Sequence, residues 1–312
     1  MKIVLGTMTF SDQVDETTAI DMLRMFRATP HREVDTAYVY NKGKTEILLG
    51  RLNESYALQG IALAGKANPS VGNGLSPESV SMQLNESLTR VKQDAFDMFY
   101  LHSPDLNTPI SDTLACVDEH YRNGRFGRFG LSNYAAWQVA EIVELCKHHG
   151  WVQPTVYQGM YNALTRDVER ELLPCLAHYK MSFYAYNPLA GGMLSGKYDS
   201  VDSQPSSGRF ASFNGYQERY WKPDMFSVVQ SFAKACKACD IAPASAALRW
   251  LVHHSAIAQP NNHAIILGSS TVAHLEQNLI ACEAGPLPDS ILQSLDKGWD
   301  KVQPVCIKYF RP

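Results

Sequence analysis

Six short apolar runs in this chain each finish on a residue that can carry charge, hydrogen-bond or move a proton. Asp35 ends one, Lys66 the next, then His102, Ser132 with Asn133, Gln158 and Asn187, and a later run closes on Gly268-Ser269-Ser270. The first six stand 31, 36, 30, 26 and 29 residues apart. A strand-plus-helix unit takes roughly 30 residues and returns the chain to the same face of a barrel, so this spacing brings the side chains to one mouth. Lys66 follows the apolar stretch Ile61-Ala62-Leu63-Ala64-Gly65. Its ammonium is partly desolvated there and needs an acid, which Asp35 supplies. Tyr40 stands five residues after Asp35, on the chain leaving the second strand, within reach of that ammonium. A phenol beside a cation ionises more readily because the phenolate is favoured, which makes it a usable general acid. Tyr38 competes for the same role, and the residues alone do not separate the two.

The elements that must position these groups read as eight strands, over residues 3–5, 33–35, 61–66, 98–102, 129–132, 156–158, 183–187 and 264–268. Amphipathic segments separate them, which predicts repeated βα units and a parallel sheet. The expected fold class is α/β, a (β/α)8 TIM barrel in a single domain over residues 1–312. Ser76 caps a helix that Pro77 opens and Val91 ends. Ser111 precedes a second helix, over 112–121, closed at Asn123-Gly124. Residues 188–225 form a long Gly-, Ser- and Pro-containing connection after strand seven, which reads as a lid. A helix over 272–284 follows strand eight, and residues 288–302 read as an extra C-terminal helix.

Composition removes several function classes. Lys and Arg number 28 against 31 Asp and Glu, a net charge of -3, so the chain lacks the basic excess of a nucleic-acid binder. Residues 1–10 hold one lysine and no long apolar run, and no stretch nears the roughly 18 apolar residues of a membrane span. A cytoplasmic protein without a membrane partner is expected. Seven scattered cysteines, an odd number, do not make a disulfide framework. Cys236-Lys237-Ala238-Cys239 lies in an apolar-periodic stretch with no second ligand pair at zinc spacing, so it reads as helix packing and no metal is expected. Gly191 to Lys197 mimics the opening of a G-x-x-x-x-G-K phosphate loop, but Tyr198 stands where magnesium binding needs Ser or Thr. No G-x-G-x-x-G follows a strand, so a dinucleotide would not sit in a Rossmann unit. Lys66 at a barrel strand end also suits a Schiff-base aldolase. A nucleotide-binding regulatory barrel without turnover is a third class.

The runs Asp35-Thr36-Ala37-Tyr38-Val39-Tyr40, Gly65-Lys66, Tyr100-Leu101-His102, Gly130-Leu131-Ser132-Asn133, Gln158 and Asn187-Pro188-Leu189-Ala190-Gly191-Gly192 resemble the aldo-keto reductase superfamily, in order and at its spacing, from Gly6 to the C-terminus. The run from Thr155 to Asn162, that from Phe183 to Gly192, Ala246-Ala247-Leu248-Arg249-Trp250 and the ending Tyr309-Phe310-Arg311 are similar to the aflatoxin aldehyde reductase subgroup, also described as succinic semialdehyde reductases. The resemblance implies a (β/α)8 fold and cytosolic, NADPH-dependent reduction of aldehydes to alcohols in a detoxifying enzyme, frequently a homodimer. Aflatoxin dialdehyde-like, succinic semialdehyde and aromatic aldehydes are the implied substrates. It implies a catalytic tetrad of Asp35, Tyr40, Lys66 and His102. In that tetrad Tyr40 protonates the alkoxide, Lys66 lowers the tyrosine pKa, Asp35 orients Lys66 and His102 orients the carbonyl. Ser132, Asn133 and Gln158 would hold the carboxamide and Tyr186 would stack on the nicotinamide. Asn187, Pro188, Leu189, Gly191, Gly192 and Lys197 would wrap the pyrophosphate, with Arg209, Gly268, Ser270, His274, Gln277 and Asn278 on the adenosine-phosphate side. His274 stands where many members place an arginine against the 2′-phosphate. Met8, His102, Tyr216 and Arg219 are the implied substrate contacts, Arg219 suiting a carboxylate-bearing aldehyde.

Overall fold

The computed structural model describes residues 1–198, 200–202, 205, 209–212, 214–258 and 262–311. Eight parallel strands close a barrel in chain order: β1 Lys2–Gly6, β2 Glu33–Asp35, β3 Ala62–Ala67, β4 Phe96–Leu101, β5 Phe126–Ser132, β6 Pro154–Met160, β7 Ser182–Tyr186 and β8 Ala264–Gly268. β1 meets β8 in register from Lys2 opposite Ala264 to Gly6 opposite Gly268, so neither strand is left as an open edge. Around the barrel run α1 Glu16–Ala28, α2 Lys44–Glu54, α3 Pro77–Val91, α4 Ile110–Arg122, α5 Ala136–His149 and α6 Leu172–His178. They are followed by α7 Arg209–Ser212, α8 Asn214–Tyr220, α9 Pro223–Ala238, α10 Pro243–His253, α11 Val272–Glu283 and α12 Asp289–Val302.

The strand alternation sorts the side chains into two cores. Ile3, Leu5, Val34, Leu63, Phe99, Leu101, Phe129 and Leu131 face outward and bury against the helices. Val4, Met98, Tyr100, Val156, Tyr184, Ala264 and Ile266 point inward and fill the barrel. At the barrel floor Glu33 accepts from Lys2 Nζ at 2.8 Å and from Arg128 at 3.0 Å. This pairing explains why β5 starts at Phe126 and not at residue 129: Arg128 breaks the apolar pattern of the sequence, but it points inward to a carboxylate on β2.

Other boundaries also differ from the sequence reading, most by one or two residues. β4 and β7 end one residue earlier, at Leu101 and Tyr186, so His102 and Asn187 stand just beyond the ladder at the mouth. The second helix begins at Ile110 with Pro109 as its N-cap residue, and Ser111 lies inside it. No side chain caps this end; Asp112 N donates to Pro109 O at 3.0 Å, and the Asp112 carboxylate stands in the first turn, where the helix dipole favours it. α3 runs as expected, with Ser76 Oγ accepting from Ser79 N.

The described residues of the connection over 188–225 carry short elements of their own. These are a 3-10 turn over Ala190–Ser195, then α7 and α8, and α9 already begins at Pro223. Phe210 and Tyr220 are fully buried, their rings are 6.4 Å apart, and Tyr198 and Trp221 pack against Phe210. Trp221 Nε1 donates to Val201 O at 2.8 Å. The aromatic cluster thus anchors this lid by burying apolar area, the main stabilising term available to a segment without strands. Cys236 is buried in α9 and Cys239 partly buried at its end. Among the described residues, no helix is long and apolar enough to cross a membrane, and no group of three metal-ligating side chains occurs.

Candidate active site

Asp35 and Lys66 arrive on adjacent strands, both facing inward. Lys66 is fully buried, and its Nζ donates to Asp35 Oδ2 at 2.6 Å and to Thr36 O at 2.6 Å. The third contact of that ammonium is Tyr40 OH, 3.4 Å away, with Nζ 5.0 Å from the Tyr40 ring centroid. Burial pulls Lys66 below the usual lysine range, and the charges of Asp35 and Glu46 only partly offset it. Asp35 uses its other oxygen to accept from Gln158 Nε2 at 2.8 Å, so β2, β3 and β6 are tied together across the barrel.

Which tyrosine meets the lysine is decided by the neighbouring helices. Tyr38 OH donates to Glu86 Oε2 at 2.6 Å, and the Arg90 guanidinium lies 4.3 Å from its ring centroid, so Tyr38 is committed to α3. Burial and Glu86 together push its hydroxyl above the ordinary tyrosine range, against the pull of Arg90. After Tyr40 the chain passes through three left-handed residues, Asn41, Lys42 and Gly43. Asn41 Nδ2 donates to Phe10 O at 2.6 Å and to Met8 O at 3.2 Å, which pins the Tyr40 turn to the loop after β1. Asparagine tolerates the left-handed region better than most residues, and here its amide also uses the geometry.

His102 stands partly exposed at the mouth, its ring edge-on to Tyr40 with centroids 6.0 Å apart. Burial, then the nearby cations Lys66 and Arg311, hold its pKa well below the usual histidine value, so the imidazole is neutral at physiological pH. Asn133 Nδ2 donates to His102 O at 2.8 Å and to Ser132 Oγ at 2.9 Å, while Asn133 Oδ1 accepts from Tyr186 OH at 2.7 Å. Burial pushes Tyr186 up to about 12, against the opposing pull of Arg219 and Arg311, so both guanidinium groups lie near this wall of the mouth.

This shelf fits a carboxamide. The bonds above leave Gln158 Oε1 as an acceptor and the Ser132 hydroxyl as a donor, the pair that an amide requires. Beside it Asn187 Oδ1 accepts from Gly191 N at 2.6 Å, and Ala190, Gly191 and Gly192 all take positive φ; Ala190 N donates to Asn187 O and Gly192 N to Leu189 O, so the turn is held by its own backbone bonds. Pro188 is buried and Leu189 partly buried at the base of that turn. A Cβ on Gly191 would lie 2.5 Å from the Tyr216 ring, so glycine lets the lid tyrosine close onto the turn. On the far side Gly268 ends β8, and Thr271 caps α11 by accepting from His274 N at 3.1 Å. Ser270 Oγ lies 3.5 Å from His274 Nδ1, Asn278 Nδ2 donates to Ser269 Oγ at 3.4 Å, and Gln277 is exposed. Lys197 is exposed at the lid edge, and the Arg209 side chain lies outside the described residues. Tyr216 is partly buried with the Arg219 guanidinium 5.4 Å from its ring centroid.

Four residues at the site were not singled out from the sequence. Thr36 offers only its backbone carbonyl, which no side-chain pattern reveals. Glu46 on α2 is buried near Lys66 with one oxygen unpartnered, and burial raises its pKa. Asn68 contacts His102, and its signal was present: it follows Lys66 by two residues, and a period of two puts both on one face. Arg311 was legible only as part of the chain ending; the backbone N–H of this residue donates to Asn133 O at 3.0 Å, which brings the tail to the mouth.

Residues 2–300 match the aldo/keto reductase family profile. Aflatoxin B1 aldehyde reductase member 2 of Mus musculus is 44% identical over 319 residues, covering 99% of this chain and 87% of its own length. Aflatoxin B1 aldehyde reductase member 4 of Homo sapiens is 43% identical over 318 residues, with 98% and 96% covered. Oxidoreductase sirO of Leptosphaeria maculans is 31% identical over 288 residues, with 91% and 85% covered. A closed eight-stranded barrel, a buried lysine between an aspartate and a tyrosine at its mouth, and matches that span nearly the whole chain lead to one conclusion: the chain belongs to the aldo/keto reductase family of nicotinamide-dependent oxidoreductases.

Proposed function

We propose that this protein, working as one barrel domain over residues 1–312, reduces aldehydes to primary alcohols with NADPH, and that Tyr40 is the proton donor. The observation that carries the reading is the fully buried Lys66, held 2.6 Å from Asp35 and 3.4 Å from the Tyr40 oxygen. A bound NADPH supplies the hydride to the carbonyl carbon. Tyr40 gives its hydroxyl proton to the carbonyl oxygen, and the adjacent ammonium stabilises the phenolate left behind. His102, neutral, donates a hydrogen bond to the same oxygen and sets the angle of the carbonyl. Ser132 and Gln158 would hold the nicotinamide carboxamide, and Tyr186 would offer a flat wall beside it.

The names of the relatives point to aldehydes of the aflatoxin dialdehyde type, and the mouth supports a narrower preference. Arg219 and Arg311 both oppose the burial that raises the Tyr186 pKa, so a carboxylate at the far end of a short aldehyde would meet two cations near this wall. Succinic semialdehyde has that form. A Schiff-base aldolase is disfavoured because Lys66 Nζ is fully buried and engaged with Asp35, Thr36 O and Tyr40 OH, which leaves no open amine lone pair to attack a substrate carbonyl.

Tyr40→Phe is the decisive variant. Turnover of an aldehyde with NADPH should fall by about 10² to 10⁴, the usual contribution of a positioned acid, while fluorescence titration shows NADPH bound as in the wild type. Tyr38→Phe should keep most of the turnover. Near-normal rates in Tyr40→Phe would remove the proposal.

A further inference from the structure

His102 bonds through one ring nitrogen to a side chain whose own orientation is forced. Asn68 lies just after β3, and one of its terminal amide atoms receives Ser70 N at 2.9 Å and Ser70 Oγ at 2.7 Å. A backbone N–H can only donate, so that atom is the oxygen, and the other terminal atom is the NH2 group. This NH2 group stands 3.1 Å from His102 Nδ1. The backbone of Asn68 is clamped as well: its N–H donates to Gln83 Oε1 at 2.8 Å, and Gln83 Nε2 donates back to Asn68 O at 3.1 Å. Gln83 is fully buried on α3 and Asn68 nearly so, which leaves the amide little freedom to turn over.

We propose that Asn68 is a positioning residue that fixes the tautomer of His102. Because the Asn68 amide can only donate at this contact, Nδ1 must accept, and the single proton of the neutral ring is placed on Nε2. The inference deepens the reductase reading and rests on it for its purpose: a proton on Nε2 is the one His102 needs to donate to a carbonyl oxygen. With the other tautomer the ring would present a lone pair to that oxygen and repel it. Asn68 itself touches neither substrate nor cofactor in this scheme; it acts through the ring. The groups whose charge bears on the ring are Lys66 on β3 and Arg311 in the C-terminal tail, and the neutral Tyr40 ring stands edge-on to it in the turn after β2.

Two measurements test it. In the wild-type protein with NADP+ bound and histidine labelled with 15N, the His102 ring signals, assigned by their loss in His102→Asn, should show the proton on Nε2 and a bare Nδ1. A proton on Nδ1 overturns the proposal, whether or not any variant folds. The second measurement is the pH profile of Asn68→Asp, nearly isosteric but able only to accept. The new carboxylate draws the proton to Nδ1, so kcat at pH 8 should fall by about 10² to 10⁴ relative to the wild type, with NADPH affinity unchanged. On acidification the imidazolium regains a proton on Nε2, and the deficit against the wild type at the same pH should shrink at least tenfold. A wild-type kcat at every pH, or a loss that acid does not relieve, overturns the role of Asn68. If the wild-type protein reduces no aldehyde at all, the reductase reading fails, while the ring signals still decide the tautomer.

Discussion

At the scale of single residues, the site works by removing alternatives. Lys66 is fully buried, so it is satisfied by Asp35 and the Thr36 carbonyl and turns toward the Tyr40 oxygen. A buried charge that lost such a partner would cost several kcal/mol, so this pair is strongly held. Arg219 is less constrained, resting on the Tyr216 ring at the mouth. Arg219→Ala should raise KM for succinic semialdehyde by about tenfold, the loss of one charge-assisted contact, and leave a neutral aromatic aldehyde nearly unchanged. Steady-state kinetics with both substrates checks this. Equal effects on the two would make Arg219 a packing residue of the lid.

At the scale of elements, the lid depends on one close approach. Gly191 takes φ +71 and sits where a methyl group would strike the Tyr216 ring at 2.5 Å. Gly60 has a similar φ of +74 with nothing within 4 Å of a Cβ. Alanine at either position bears the left-handed backbone cost of about 1–2 kcal/mol, but only at Gly191 must the ring also move. Gly191→Ala should therefore weaken NADPH binding about tenfold, read by fluorescence titration, whereas Gly60→Ala should lower Tm by a few degrees and leave cofactor affinity as it was. A second packing contact of this kind joins α12 to α9: a Cβ on Gly298 would strike Val228, so the two helices dock tightly.

At the scale of the whole molecule, the barrel separates chemistry at its C-terminal mouth from stability at its floor. On the floor, burial tends to raise the Glu33 pKa, but Lys2 and Arg128 outweigh it and hold the carboxyl below its ordinary value of 4.5. A carboxyl whose folded-state pKa is depressed adds stability above its unfolded pKa, and that stability is lost as pH falls through the folded value. Glu33→Gln should thus lower stability by about 1–3 kcal/mol at pH 7, and the gap from the wild type should close as pH drops below 4.5. Thermal melts of both proteins from pH 7 to pH 3 measure this. A gap independent of pH would mean that Glu33 acts through packing alone.

Much of this arrangement was legible in the chain itself. A repeat of about 30 residues, each unit ending an apolar run on a polar residue, is enough to give a barrel with one chemical face, because strand alternation and the handed βα crossover leave few other outcomes. That logic alone brings Asp35, Lys66, His102, Ser132, Asn133 and Gln158 to one mouth. The choice between Tyr38 and Tyr40 was beyond it. Both follow Asp35 within five residues, and only the docking of α3, which brings Glu86 and Arg90 against Tyr38, sends one tyrosine outward and leaves the other to the lysine. The same holds for Arg128, Glu46 and Arg311, polar residues on a strand, a helix and the tail whose partners lie far away in sequence. Periodicity records which face a side chain occupies; what stands opposite that face is decided by packing between elements.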